Sequence, residues 1–365
     1  MLLHSRADVR YRQAIQYGEE SLAIARRLGL REQLAFTLND LSPLYPFVGE
    51  SERALELGAE ARAMWREMNN LPMLADNLNY AAMTHLGRGE IDQAVAISEE
   101  ARRISQMTGN QWGEAFSLTW VGAGYLELGR PDQAIAAMED ALRLGEVFPP
   151  TLAITRATLA HLYADLGARE HALELARQAL SHAEAKFPVF VPWAAGAFVH
   201  TCVVAGDLPQ AEATLKRVPM NPDNVNPRFD VALQLAAVEL ALAKGEYEPA
   251  VSLCDTILAR QRAIRLRQNL ATALLLKGEG LRGLRQLDEA FAILSEARGE
   301  AEATHARWSL WQILAALSRV ESQRGNADQA EAQRTLAREV VASIATHAPP
   351  DLRDSFLSAS RARLS

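Results

Sequence analysis

Few side chains in this sequence could act on, or hold, another molecule. His161 stands four residues before Asp165, so on a helix the two share a face, as a pair of metal ligands would. A metal centre needs a third ligand, and none follows at a recognisable spacing, so no metal is expected. His171 and His182 fall on a stretch whose polar face suits solvent. The carboxylate pairs Glu99-Glu100 and Glu139-Asp140 could work as acid and base only if the fold turned them into one cleft. Their place on outer helices reads instead as a solvated face. No G-x-x-x-x-G-K-[ST] loop, G-x-S-x-G elbow or H-E-x-x-H helix occurs. The chain therefore reads as non-catalytic and without a cofactor. A basic run of Arg260, Arg262, Arg265, Arg267, Lys277, Arg282 and Arg285 could hold an anion. The acidic remainder of the chain makes a solvated surface the simpler reading.

The net charge of −7 over 365 residues argues against direct binding of nucleic acid, which calls for clustered positive charge. Cys202 and Cys254 are the two cysteines. That is no disulfide framework and suits a reducing, cytoplasmic setting. The first residues carry no apolar run of signal-peptide length. Phe187 to Gly206 contains no charged residue and has the length of a membrane span. It also holds Pro188, Pro192 and His200, and its second half keeps the register of the surrounding repeats. It reads as a buried helix, with no membrane as partner.

What must position any site is a repeat. Alanines recur at Ala14, Ala54, Ala94, Ala134, Ala172, Ala211, Ala250, Ala290 and Ala330, with spacings of 38 to 40 residues. A period of this size belongs to solenoids, in which each unit buries its apolar face against its neighbours. Five residues before the anchor stands Gly49, Gly89, Gly129, Gly167, Gly206, Gly245 or Gly325, where a first helix ends and the chain reverses. Seven residues after it stands Ala61, Ala101, Ala141, Ala179, Ala297 or Ala337, on the same stripe of a second helix. Small side chains there let two helices approach closely. Residues 1–347 therefore read as one array of about eight helix pairs. A partial first unit precedes them, since only a second helix, Asp8 to Leu28, is visible before the second repeat. Pro43 and Pro46 should break the first helix of that second repeat. The unit at 187–227 is irregular, bracketed by Phe187–Pro192 and by the proline-rich Val218–Pro227, with a short second helix. Residues 348–365 read as a C-terminal cap or tail.

The order of small residues resembles the tetratricopeptide repeat in a long form. Twelve before the anchor lie Ser42, Ala82, Gly122, Ala160, Gly278 and Ser318, and nine before it Tyr45, Tyr125 and Tyr163. The period alone would also admit HEAT or armadillo units; the glycine turn and the alanine pair decide. Phrases such as Ser21–Gly29 and Leu352–Leu357 are similar in style to the repeat tails of maltose-regulator-like activators, STAND-type signalling ATPases and bacterial cyclases. The resemblance implies an all-α fold, a right-handed α-solenoid of antiparallel helix pairs whose first helices line an inner groove. It also implies a scaffold for a protein or peptide partner, the sensor or interaction region of a bacterial signalling or transcription regulator. The alternative is a receptor whose groove closes on a sugar or short peptide.

At the groove positions of that family stand Phe36, Asn39 and Asp40, then Asp76, Asn79, Tyr80 and Met83, then Phe116, Thr119, Trp120 and Glu127, then His161 and Asp165. Trp193, His200, Glu239, Glu279, Arg282, Gln312 and Arg319 follow in later units. Asn39, Asn79 and Thr119 form one column, able to bond the backbone of an extended peptide. Trp120 and Tyr80 either line the groove or seal neighbouring helices. The inner face of repeats two to five is the expected recognition surface. Partner identity and oligomeric state are not written in the sequence.

Overall fold

A computed structural model describes residues 6–145, 149–218, 220 and 227–364. Among them are eighteen α-helices and no strand. A lone helix α1 (Arg6–Leu28) is followed by eight pairs: α2 (Arg31–Leu41) with α3 (Ser51–Glu67), α4 (Leu71–Gly87) with α5 (Ile91–Thr108), α6 (Gln111–Glu127) with α7 (Pro131–Arg143), α8 (Pro150–Asp165) with α9 (Arg169–Lys186), α10 (Val191–Ala205) with α11 (Leu208–Arg217), α12 (Pro227–Ala243) with α13 (Tyr247–Ala263), α14 (Leu270–Gly283) with α15 (Leu287–Ala303), and α16 (Arg307–Gln323) with α17 (Ala327–Thr346). A last helix, α18 (Pro350–Leu364), docks on α16 and α17. The proline-rich loop expected over 219–227 lies outside the described residues apart from Met220 and Pro227, as does the start of the chain.

First helices lie inside and second helices outside. In α6, ten of seventeen residues are buried, but in α5 only six of eighteen. A helix packed by its partner on one side and by the next unit on the other becomes apolar nearly all round, whereas an outer helix keeps one stripe. The anchor alanines from Ala54 to Ala330 are at most 3% exposed. Ala14 is the exception and stands exposed, with no described helix packed over it from the N-terminal side. Pro43 and Pro46 end α2 early; Ser42–Val48 continues it as a 3-10 segment closed by Gly49 at φ 85°. The turn glycines all take positive φ, and in the eighth unit, which lacks one, Arg285 takes φ 65° instead. The repeated tyrosines tie each inner helix to the preceding outer one: Tyr125 donates to Glu99 at 3.1 Å and Tyr163 to Glu139 at 3.2 Å. Tyr45 donates likewise to Glu19.

Pro188–Ala205 is apolar and long enough to cross a membrane by length and composition. Half of it is buried, against α8, α9 and α12. Cys202 and Cys254 are buried and unpaired. Much of the basic run is neutralised locally, Arg262 by Glu296, Arg267 by Glu300, Lys277 by Asp255 and Arg282 by Glu279.

The superhelix is wound so tightly that successive turns touch. A Cβ on Gly49 would lie 3.2 Å from Ile264, one on Gly89 2.5 Å from Thr304, and one on Gly129 2.9 Å from Ile344. Each contact spans 215 residues (264 less 49, 304 less 89, 344 less 129), about five and a half units. Backbone bonds stitch this seam: Arg267 N–H to the Gly87 carbonyl at 2.8 Å and Asp132 N–H to the His347 carbonyl at 2.9 Å. Side-chain contacts join it outside: His305 and Asp92 hydrogen-bond at 2.6 Å, and His347 lies 3.7 Å from Asp132. From inside, Arg228 on α12 reaches back to the Met83 carbonyl at 2.8 Å and lies over the Trp120 ring.

Candidate functional site

Because the turns close on each other, the first helices of the last six pairs face an interior space rather than an open trough. The resulting cavity is about 210 Å³. Its wall is built by α6 (Glu127), α8 (His161, Asp165), α10 (Trp193, Gly196, His200), α12 (Glu239), α14 (Thr272) with its cap Asn269, and α16 (Trp308, Gln312), with Arg363 of α18 at one end. A larger cleft of about 430 Å³ lies on the seam, between Asp92, Arg130, His305 and His347. Asp92 and His305 already satisfy each other there, and the interior cavity has the richer chemistry.

Three of the cavity's polar groups share one register. His161, His200 and Glu239 each stand eleven residues before their anchor alanine, as do Glu279 and Arg319 further on. In the third and fourth units Met83 and Ala123 hold that position. The rings of His161 and His200 stack with centroids 3.7 Å apart and planes 13° apart. His200 Nδ1 meets Glu239 Oε2 at 2.7 Å, and its Nε2 faces Asp165 Oδ1 at 3.6 Å. His161 Nε2 is 3.8 Å from Asp165 Oδ2. The indole N–H of Trp308 donates to that same oxygen at 3.1 Å. Arg363 stands 3.8 Å from Asp165 Oδ1 and donates to Gln312 at 3.0 Å. Glu279 and Arg319 pair with each other at 3.0 Å.

The charges follow from these neighbours. Burial opposes a charged His200 ring, but the Glu239 and Asp165 carboxylates outweigh it and push its pKa up to about 10. His161 is pushed down to about 4, by burial first and by the adjacent His200 next. Two fifths of its side-chain surface is open, and it faces the cavity. Burial would raise Asp165, but His200 and His161 outweigh it and hold the carboxyl well below the usual range. Glu127 differs. It makes no hydrogen bond or ion pair with a described residue, and burial alone pushes it up to about 7.

The structure divides the residues singled out in the sequence. His161 and Asp165 are brought together, with Glu127, Trp193, His200, Glu239 and Gln312 beside them. Asn39, Asn79, Thr119 and Trp120 are at most 4% exposed and lie between helices. Asn39 donates to Asp76 at 2.9 Å and accepts from Asn77 at 3.0 Å. Thr119 bonds the Ala115 carbonyl and meets Thr155. Asn39 and Thr119 thus face the neighbouring unit, and Asn79 is fully buried with no hydrogen-bond partner among the described residues. Phe116 is buried and meets Tyr80 and Trp120 edge to face. Tyr80 and Met83 are half-buried, and Asp40 is exposed. Trp308 and Arg363 had no sequence signal beyond composition. The polar column eleven before the anchor could have pointed to the cavity, since it interrupts otherwise apolar inner helices.

Asp76 supplies a pH test of the second and third units. Burial, with a smaller push from Asp40, raises its pKa to about 6 against the Asn39 bond that lowers it. The unfolded carboxyl titrates near ~3.9, so between these values the native state holds the extra proton. Stability therefore falls as pH rises through that window and stays lower above it. Asp76→Asn is expected to stabilise the protein by about 1–2 kcal/mol at pH 8 and by nearly nothing at pH 4. Urea unfolding at the two pH values measures this, and an equal effect at both would contradict the burial.

No family model matches the chain, and no curated protein matches it. Solved structures do. A Rap protein complexed with competence and sporulation factor is similar over 93% of this chain and 97% of that one, at 14% identity and a TM-score of 0.63. BtubC from P. vanneervenii is 20% identical over 57% of this chain and 89% of that one, with a TM-score of 0.48. A STAND protein with a tetratricopeptide repeat sensor, from Pyrococcus horikoshii, is 12% identical over 93% of this chain, with a TM-score of 0.42. This chain spans about half of that protein, 52%. At such identities the Rap likeness establishes the fold alone: an all-α solenoid of tetratricopeptide type.

Proposed function

We propose that this protein is a non-catalytic receptor that takes a small ligand, or one end of a peptide, into the cavity enclosed by its first helices. It would serve as the sensing part of a cytoplasmic bacterial signalling or transcription regulator. The observation that carries the reading is Glu127, a carboxyl without a partner among the described residues, facing a cavity walled by Trp193 and Trp308. Glu127 is half-buried; a partly desolvated acid left unpaired costs free energy, and a ligand ammonium or amide N–H would repay it. The cavity is smaller than the roughly 300–1,000 Å³ of sites for drug-sized molecules, which favours a side chain, an amino terminus or a small metabolite. The Rap protein of this fold is solved in complex with competence and sporulation factor, so in that protein the fold accommodates a bound factor.

The test is a thermal-shift screen of short peptides and small amines, followed by titration of any hit on tryptophan fluorescence. Glu127→Gln should weaken a cationic hit about tenfold or more, the worth of a hydrogen bond to a charged group. Affinity should also rise as pH passes upward through about 7, where Glu127 ionises. Hits indifferent to both Glu127→Gln and Trp193→Ala would place the ligand elsewhere.

A further inference from the structure

The cluster at the far side of the cavity has the makings of a metal site. His161 and Asp165 sit one turn apart on α8, and His200 comes across from α10. Their three donor atoms lie within 4.8 Å of one another. The separations from Asp165 oxygens to the two Nε2 atoms, 3.6 and 3.8 Å, are too long for hydrogen bonds. They are close to what an ion requires. Two donors each 2.0–2.1 Å from zinc stand about 3.3 Å apart at the tetrahedral angle, so an ion would need contraction by a few tenths of an ångström and a turn of the half-open His161 ring out of its stack on His200, which brings the two Nε2 lone pairs together.

The surroundings support the same use. His200 is 6% exposed, and its Nε2 has no hydrogen-bond partner. Its other nitrogen is held by Glu239 at 2.7 Å. A carboxylate behind an imidazole fixes the ring and makes the free nitrogen a better donor, as around metal-binding histidines. Asp165 is steadied in turn by the Trp308 indole at 3.1 Å. The group opposing a cation is Arg363, at 3.8 Å from Asp165. It has Gln312 as a second partner, and 42% of its side chain is exposed, so it has room to withdraw.

We infer that His161, Asp165 and His200 bind one divalent transition-metal ion of the zinc class, with a remaining coordination position open to the cavity. Imidazole and carboxylate donors suit zinc, cobalt and nickel rather than calcium or magnesium. The ion takes the place of any proton on the Nε2 nitrogens, while Glu239 keeps its bond to His200 Nδ1. The inference does not depend on an organic ligand, since metal titration and the ligand screen are separate measurements. A stoichiometric ion with no organic hit would leave the site standing and sink the receptor reading, and the reverse result would do the opposite.

The experiment uses tag-free protein, stripped with chelator and titrated with Co²⁺ and Zn²⁺. One equivalent of Co²⁺ should give the visible ligand-field bands of a low-symmetry N/O site, and Zn²⁺ should bleach them at the same stoichiometry. Glu239→Gln should weaken binding about 10–100-fold. His161→Ala, on the more open ring, should abolish the bands while the helical circular dichroism is kept. Should Glu239→Gln fail to fold, His161→Ala alone decides. Weak, non-stoichiometric binding by the wild type, or unchanged bands in His161→Ala, would overturn the site.

Discussion

Phe356→Ala is expected to lower folding stability by about 3–5 kcal/mol, the cost of emptying a fully buried phenylalanine site. The ring is 1% exposed. It stacks on Trp308 at 5.9 Å and meets Trp311 edge-on at 6.2 Å. Its neighbour Ser355 donates to the Leu166 carbonyl at 2.6 Å, across the seam. Phe356 therefore holds the last helix to the ninth unit and helps hold the ninth unit to the fifth. Without the ring, Arg363 should also lose its place beside Asp165. Guanidinium unfolding followed by tryptophan emission reads both effects, as an earlier midpoint and a changed native signal. A loss below about 1 kcal/mol would mean that α18 is not docked as described.

Gly196→Val should have an effect of similar size. A Cβ there would lie 2.6 Å from the Ala232 carbonyl carbon and 2.7 Å from Leu233 N. The obstacle is backbone, which cannot rotate aside, so α10 and α12 would be forced apart. Overpacking of this kind costs about 3 kcal/mol at the upper end of the usual range. Gly196 also lines the cavity, so the same change should distort the setting of His200 one turn later. Gly299→Ala is the matched control: nothing lies within 4 Å of its would-be Cβ. In mid-helix it should gain up to about 1 kcal/mol. Parallel thermal melts compare the two, and a wild-type melting temperature for Gly196→Val would refute the α10–α12 packing.

Local rules made the units legible before any coordinates. The anchor alanines from Ala54 onward are buried, the glycines five before them take positive φ, and the tyrosines nine before them bond the preceding outer helix. Gly122 and Gly278 are small for a visible reason, since a Cβ on either would strike Met138 or Leu294 at 2.7 or 2.5 Å. Register also placed His161, Asp165, His200 and Glu239 on the inner face. What the period could not carry is the amount of twist per unit. A small rotation, repeated five times, decides whether Asn39 and Asn79 look into a trough or into the next helix. It also decides whether Gly49 meets solvent or Ile264. Such an accumulated angle depends on side-chain fit at every joint, and no single motif records it.

The contacts 215 residues apart also bear on how the chain comes undone. An open solenoid has only nearest-neighbour couplings, so it frays from its ends and its stability is nearly a sum over units. Here the second, third and fourth units are braced against the seventh, eighth and ninth. Those long-range links raise the contact order, which slows the search for the native state. They also make the loss of either end felt at the middle. The molecule should unfold more nearly as one cooperative body than as a zipper, and fragments cut after the fifth unit would lack the partners that complete their turn.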